Sequence, residues 1–445
     1  MIRKDLKALF SRFGIILVAC ASVGFGLSSP AGSDGRPSSL RALKRQDIAR
    51  HRIYRSLSLK PQPVGSVKKI TGASLPVDKD DDGMPDSWET ANGFNVNDPN
   101  DAWLDADKDG VVNLFECQLG SDPNDASTPP IVTVGTSDMV DYTDLEEALD
   151  SAADGSCIRV AKGTYFVNYM TFIPKVIMIQ GGWNADFTVR NLKTNPTVLD
   201  GSKKDDDEVL YFSFASGNSA VILDGLKITK GAGGFGAVNL LAQTTAFLKA
   251  SIFNCLIVKS KSDDEYGSVL SFCNWDSSLS DRTIANTVIG TNTASGIYAQ
   301  ITDYSKSRWR ILHSAIAKNT NGGGENGYGI EVFTQGTASL KTHIFNSILW
   351  GNEQEDLNIR WTGLTFKVDH TDIGRVQAEY GAKYVKGAGN LNKDPKFMGP
   401  ASANYHLKAT SPAINKGIKK GMPVTDFEGD KRVKGALPDM GPDER

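Results

Sequence analysis

A repeat with a near-constant internal offset constrains this chain more than its composition does. Strand-like runs open with a glycine at Gly236, Gly267, Gly296 and Gly329, which lie 31, 29 and 33 residues apart. Each is followed by a second apolar run with a polar residue at one fixed place, Asn254, Asn286, His313 and Asn346, at offsets of 18, 19, 17 and 17 from its glycine. A solenoid produces this pattern, because each coil must stack on the last while its outer loops vary. A β-sandwich has no reason to keep the offset, and propeller blades repeat at about 40 to 50 residues. Asp224 and His370 extend the polar column by one coil each way. The recurring amides are expected to stack in register inside the coil and to hydrogen-bond along the column.

From about Ile131 onward, short β-rich runs are broken by Gly, Asn, Asp and Ser, and the one helical candidate is Leu145 to Ala153. The pattern predicts an all-β domain over 131–445.

Before the repeat, Asp78 to Glu89 and Asp105 to Glu116 each read D-x-D-x-D-G-x-x-[DN]-x-x-E. A hard dication takes about six to eight oxygens, and alternate residues of a tight loop turn that many inward. The first loop offers Asp78, Asp80, Asp82, the Met84 carbonyl, Asp86 and Glu89, with Gly83 at the sharp turn. The second offers Asp105, Asp107, Asp109, the Val111 carbonyl, Asn113 and Glu116, around Gly110. Two Ca2+ ions are the expected cofactors, in an EF-hand-like module over 75–128. Across Asp78 to Asp125, fourteen Asp and Glu face two Lys, so without cations this module should be loosened by its own repulsion.

The N-terminus has a basic start and an apolar run from Phe13 to about Leu27, too short to span a bilayer comfortably. An export signal is expected over 1–33. Leu17-Val18-Ala19-Cys20 also resembles a bacterial lipoprotein cleavage box, which would place a lipid on Cys20, while Ala31-Gly32-Ser33 offers an ordinary cleavage site. A membrane is otherwise not an expected partner. Residues 34–74 read as a basic linker, with ten Lys and Arg against two Asp between Asp34 and Lys69. Scattered charge with one interleaved aromatic, Tyr54, argues against nucleic acid. Cys117, Cys157, Cys255 and Cys273 allow three disulfide pairings or free buried thiols, and no Cys/His spacing suits zinc.

The first module, with Gly83-Met84-Pro85-Asp86-Ser87-Trp88-Glu89 and the closing Leu119-Gly120-Ser121-Asp122-Pro123, resembles the bacterial thrombospondin type 3 calcium repeat. The remainder is similar to the exported right-handed parallel β-helix, or pectate-lyase-like, superfamily. Ala148-Leu149 with Gly155 to Tyr165 resembles that family's first coil. Asn346 to Asn352, Ser411 to Gly417, Asp426 to Arg432 and Asp439-Met-Gly441 are similar to its choice-of-anchor Q subgroup. The chain stops at Arg445 with no sorting signal in view, which returns the anchoring question to Cys20.

The resemblance implies an exported or cell-surface protein. Its expected role is a β-helix presenting a surface to extracellular polysaccharide or a cell-surface glycan, with the calcium module a structural joint that stiffens the connection between the N-terminal tether and the β-helix. Two alternatives stand beside it: a lyase or hydrolase of acidic polysaccharide, and an adhesin or assembly subunit for protein partners. Catalysis would need charged groups converging on one face. The densest acidic groups are Asp205-Asp206-Asp207-Glu208 beside Lys203 and Lys204, and Asp263-Asp264-Glu265, with Asp263 and Glu325 each four residues before a coil-opening glycine. Acidic corners that keep a solenoid soluble explain them as well. Gly231 to Gly236 reads as a turn, and Trp275, Trp309, Trp350 and Trp361 are sugar-stacking platforms only if exposed. No catalytic residue is assigned.

Overall fold

The computed structural model describes residues 74–203, 208–262, 267–322, 324 and 326–445. The expected signal peptide, Cys20 and all but the last residue of the linker lie outside the described residues, as do Lys204 to Asp207, Asp263 to Glu265 and Glu325. From Ile131 the chain winds into a right-handed parallel β-helix, the hand that strand twist imposes on parallel crossovers. Three parallel sheets form its sides. Sheet I has ten strands, from Ile131–Val134 to Lys383–Lys386; sheets II and III have eight each. A coil passes from sheet I to sheet III and then to sheet II, as in Asn218–Asp224, Leu226–Thr229 and Val238–Ala242.

In-register pairing stacks like on like. Ile252, Ile284, Ile311, Ile344 and Val368 are successive partners in sheet I, all turned into the core. The residues after the first four of these, Phe253, Ala285, Leu312 and Phe345, form a second apolar stack on the outer face, as period-two alternation requires. The coil-opening glycines recur because there is no room for a side chain: the next coil's backbone crowds Gly236, Gly296 and Gly329, and the Ser262 side chain crowds Gly267. A Cβ at Gly236 would stand 2.2 Å from the Ser268 carbonyl, and one at Gly329 would stand 2.4 Å from that of Asp356.

The polar column forms, but not inside the coil. Asn254, Asn286, His313, Asn346 and His370 each take a left-handed φ of 42° to 52° at the corner between sheets I and III, but Asp224 does not extend the column, since it pairs with Phe253 and Gly225 holds the corner position. Asn286, His313 and Asn346 turn outward, toward a strap formed by residues after 397. Asn254 donates to Asp224 at 3.1 Å, and Asn286 to Asn254 at 3.1 Å. Asn286 also donates to the Thr425 carbonyl at 2.8 Å. Asn346 bonds the Ile418 carbonyl and N–H at 2.8 Å each, and Arg432 donates to Asn286. The interior position belongs to the next residue, where Thr287, Ser314, Ser347 and Thr371 pass hydrogen bonds between coils.

Helix α1 (Asp86–Asn92) and helix α2 (Asn113–Leu119) belong to the acidic module, and helix α3 (Leu145–Ser151) buries Leu145, Ala148 and Leu149 in the coil core, two residues shorter than the helical candidate. The module does not meet the solenoid end-on as a joint. It lies along the outer face of sheet I, where Met84, Trp103, Leu114 and Phe115 pack on Phe253, Leu312 and Phe345. The strap covers sheet III, burying Phe397, Tyr405, Leu407, Ala413 and Met440 against Val258, Val288, Ala315 and Ile348.

All four described cysteines are free and buried. Burial pushes the Cys117, Cys157 and Cys255 thiols up to about 12, so they remain protonated. Trp275 and Trp309 are buried and are not stacking platforms, whereas Trp361, partly exposed, stacks on Tyr380. No described helix is long and apolar enough to cross a membrane.

Candidate metal centre and the cleft beside it

The two acidic loops adopt the same backbone. The fourth position is left-handed in both, at Asp81 (φ 64°) and Lys108 (φ 68°), and the sixth is a glycine at φ 109° and 96°, Gly83 and Gly110. The first aspartate of each loop holds that turn. Asp78 accepts from Asp81 N–H at 2.8 Å and Gly83 N–H at 3.1 Å; Asp105 accepts from Lys108 N–H at 2.7 Å and Gly110 N–H at 2.9 Å. Asp82 and Asp109 each accept from the second N–H onward, Met84 and Val111, both at 2.7 Å.

With these carboxylates pinned, the loops converge on themselves. Ligand atoms of Asp78, Asp80 and Asp82 lie within 4.8 Å of one another, as do those of Asp105, Asp107 and Asp109. A third group, Asp82, Glu89 and Asp101, joins the first loop. Asp101 stands outside either twelve-residue motif, and its signal in the sequence is only an acid in the segment between the loops. Asp86 is less central, since its Oδ1 accepts from Lys79 N–H at 2.8 Å.

The acceptors outnumber the donors. Both oxygens of Asp80 and Glu89, Oδ2 of Asp82, Oδ1 of Asp101, Oδ2 of Asp107, Oδ1 of Asn113 and Oε2 of Glu116 are buried with no hydrogen-bond partner. An orphaned buried acceptor costs about 1–3 kcal/mol, and more when charged. Burial first, then neighbouring carboxylates, push Asp82 up to about 9, Glu116 to about 8, Glu89 to about 7 and Asp80 to about 6. Burial likewise moves Asp109 to about 6. Left to themselves, these groups would take up protons. A cation satisfies the same oxygens while they stay ionised, so the donor set fits one in each loop.

Asn113 links the two loops: its Nδ2 donates to the Asp101 carbonyl at 2.8 Å while its Oδ1 is one of the orphans.

The solenoid grips the loops from beneath. Arg310, buried, donates from Nη2 to Asp78 Oδ2 at 2.5 Å, from Nη1 to Asp281 Oδ1 at 2.6 Å and from Nε to the Asp81 carbonyl at 2.9 Å. Arg308 pairs with Asp281 and reaches Asp78 at 3.2 Å. Burial alone would raise Asp81, but the His343 hydrogen bond and the Arg310 and Arg308 charges outweigh it and hold it low. For Asp281, too, burial is overcome by Arg310 and Arg308. At the second loop, Arg159 donates to the Asp109 carbonyl at 2.8 Å and Gln180 to the Gly110 carbonyl at 3.0 Å.

A cleft of about 510 Å³ opens between the first loop, the outer face of sheet I and the strap. Six Lys and Arg line it, among them Lys341, Lys367 and Lys420, against four Asp of the first loop, and Asp281 pairs with Arg308 and Arg310 and Asp369 with Lys367, so a bound dication would tip the balance toward positive. His343 stands within it, 2.9 Å from Asp369 and 3.6 Å from Asp81.

No protein-family model matches the chain, and no curated protein is similar to it in sequence. Among solved structures it is similar to the pectate lyase Pel9A, at 14% identity and a TM-score of 0.35, over 72% of this chain and 97% of that one. It is also similar to the tailspike protein gp49 from Acinetobacter baumannii bacteriophage Fri1, a capsular polysaccharide depolymerase, at 12% identity and a TM-score of 0.18, over 59% and 62% of the two chains. The β-helical fold of this chain rests on its own strand pairing.

Proposed function

We propose that this is an exported calcium-binding β-helix protein in which two calcium ions hold the acidic module against sheet I and the adjoining basic cleft binds acidic polysaccharide. The observation that carries the reading is the set of nine buried oxygens of the acidic module without donors, beside a cleft lined by six Lys and Arg. Asp78, Asp80, Asp82, the Met84 carbonyl, Glu89 and Asp101 would hold the first ion, with Asp86 at the position often filled through water. Asp105, Asp107, Asp109, the Val111 carbonyl, Asn113 and Glu116 would hold the second. When bound, each ion would offset two of its loop's negative charges and occupy the carboxylate oxygens, so that they compete less with a polyuronate for Lys341 and Lys420.

The reading is tested by titrating the full chain with polygalacturonate. Binding is expected in calcium, weakened by Lys341→Glu and by chelator; binding indifferent to both contradicts it. Cleavage is the second reading, favoured by His343 and Lys341 standing beside the first loop in one cleft. Unsaturated products accumulating in the same mixtures, and lost in His343→Gln or Lys341→Gln, would make it the first.

A further inference from the structure

The coil interior is apolar along most of its length, but between Asn274 and Trp309 it holds a polar patch. Arg282 stands in it. This residue pairs in register with Ala250 on the preceding coil and Trp309 on the following one, and both of these point into the core. The Arg282 side chain is therefore inside the solenoid, 1% exposed, with its guanidinium 4.6 Å from the centroid of the Phe272 ring. Its neighbour Asp281 faces the outer side, where Arg308 and Arg310 hold it.

Donors outnumber acceptors in this patch, the reverse of the acidic loops. Trp309 Nε1 donates to Ser307 Oγ at 2.8 Å, and Ser280 Oγ donates to Asn274 Oδ1 at 2.9 Å. The Ser307 and Ser280 hydroxyls lie 2.6 Å apart, and since Ser280 gives its proton to Asn274, Ser307 is the donor between them. Arg282 Nη2 adds a second bond to the same Asn274 oxygen at 2.8 Å and reaches the Cys273 carbonyl at 3.3 Å. Both lone pairs of the Asn274 oxygen are then taken, and Arg282 Nε and Nη1 are buried without a partner.

Other fully buried arginines meet negative charge. Arg310 pairs with Asp78 and Asp281, and Arg432 feels Asp426, Glu444, Asp443 and Asp439. No carboxylate acts on Arg282 among the described residues. Burial lowers it to about 9, so at neutral pH it is still a cation. A buried charge with no counter-charge is strongly unfavourable.

We propose that Arg282 binds one chloride ion enclosed in the solenoid. A single negative charge balances the guanidinium, and a spherical ion with no proton of its own accepts from any N–H turned toward it. A divalent anion would leave an excess charge buried, and a polymer cannot enter a closed coil. The surrounding side chains wall the patch off from solvent, so the ion is taken up as the coils close. The acidic loops lie across sheet I on its outer face, which separates this site from calcium.

The test compares the full chain refolded from urea in sodium chloride and in sodium methanesulfonate at equal ionic strength, with chelator throughout. Stability from urea titration is expected to rise with chloride, each tenfold increase above half-saturation adding about 1.4 kcal/mol. Methanesulfonate, too large to be enclosed, should give no such gain. In Arg282→Met the chloride gain should vanish, and in methanesulfonate the variant should be at least as stable as the native chain, because an apolar side chain replaces an uncompensated charge. Native chain refolded in bromide gives an independent reading that needs no variant: an anomalous-scattering peak beside Arg282 in its crystals. Equal stability in the two salts, a chloride gain that persists in Arg282→Met, or bromide crystals without a peak at Arg282 would overturn the proposal.

Discussion

Sheets I and III are both covered by non-coil segments, and the two covers are built on opposite principles. The strap over sheet III carries its own partners: Asn346 exchanges two hydrogen bonds with Ile418, Gly441 N–H donates to the Asn346 carbonyl at 2.7 Å, and an apolar cluster closes behind them. The acidic module over sheet I has a comparable apolar contact but leaves nine of its carboxylate and amide oxygens buried without donors. Among its described residues the strap leaves one buried side-chain atom, Arg432 Nε, without a partner, whereas on the proposed reading the acidic module takes a cation to satisfy its nine. On that reading, two segments of one chain share a scaffold while only one answers to calcium.

The comparison breaks most severely at Arg310, which is shared between loop and coil. Arg310→Met leaves Asp78 and Asp281 buried with too little opposite charge, at about 3–5 kcal/mol. The expected outcome is lost hydrogen-exchange protection in Leu279–Ala285 and the first loop, with the strap unaffected. On the strap side, Asn346→Ala strands the Ile418 N–H and carbonyl, at about 1–3 kcal/mol. Its unfolding, followed by denaturant titration, should shift by the same amount in calcium and in chelator. Asp101→Asn removes one charge from the first site only, and calcium titration calorimetry should show one weakened site of two.

The smallest effect is a pH dependence confined to the strap. Hydrogen bonds to Asp443 and Glu428 push His406 up to about 10, above the ordinary 6.5 of an imidazole. A folded-state pKa raised in this way gives stability that is complete below 6.5 and lost as pH rises toward about 10. For a partly exposed pair this is below about 1 kcal/mol. His406→Gln should therefore lower strap stability in mild acid and leave it unchanged in strong alkali, measured by denaturant unfolding across that range.

What the sequence revealed and what it hid follow from range. Gly236 and Gly329 announced the coils because each coil meets the same crowding by its neighbour's backbone, and the loop motifs are local by nature. The direction of Asn286 and Asn346 was hidden, because their partners Arg432 and Ile418 sit in a strap whose place no repeat encodes. The docking of Asp78 on Arg310 was hidden for the same reason: the two residues are 232 positions apart and belong to no shared pattern. Asp101 was missed because a carboxylate between motifs looks like any solvated acid until folding buries it beside Glu89.

The central claim is that cations complete the cover on sheet I and nothing else. Hydrogen exchange of the full chain, with calcium and with chelator, tests it directly. The account predicts that protection over residues 78–120 falls on chelation while that of the coil strands and of residues 397–445 holds. Equal protection of 78–120 in both conditions, or loss across the whole chain together, would contradict it.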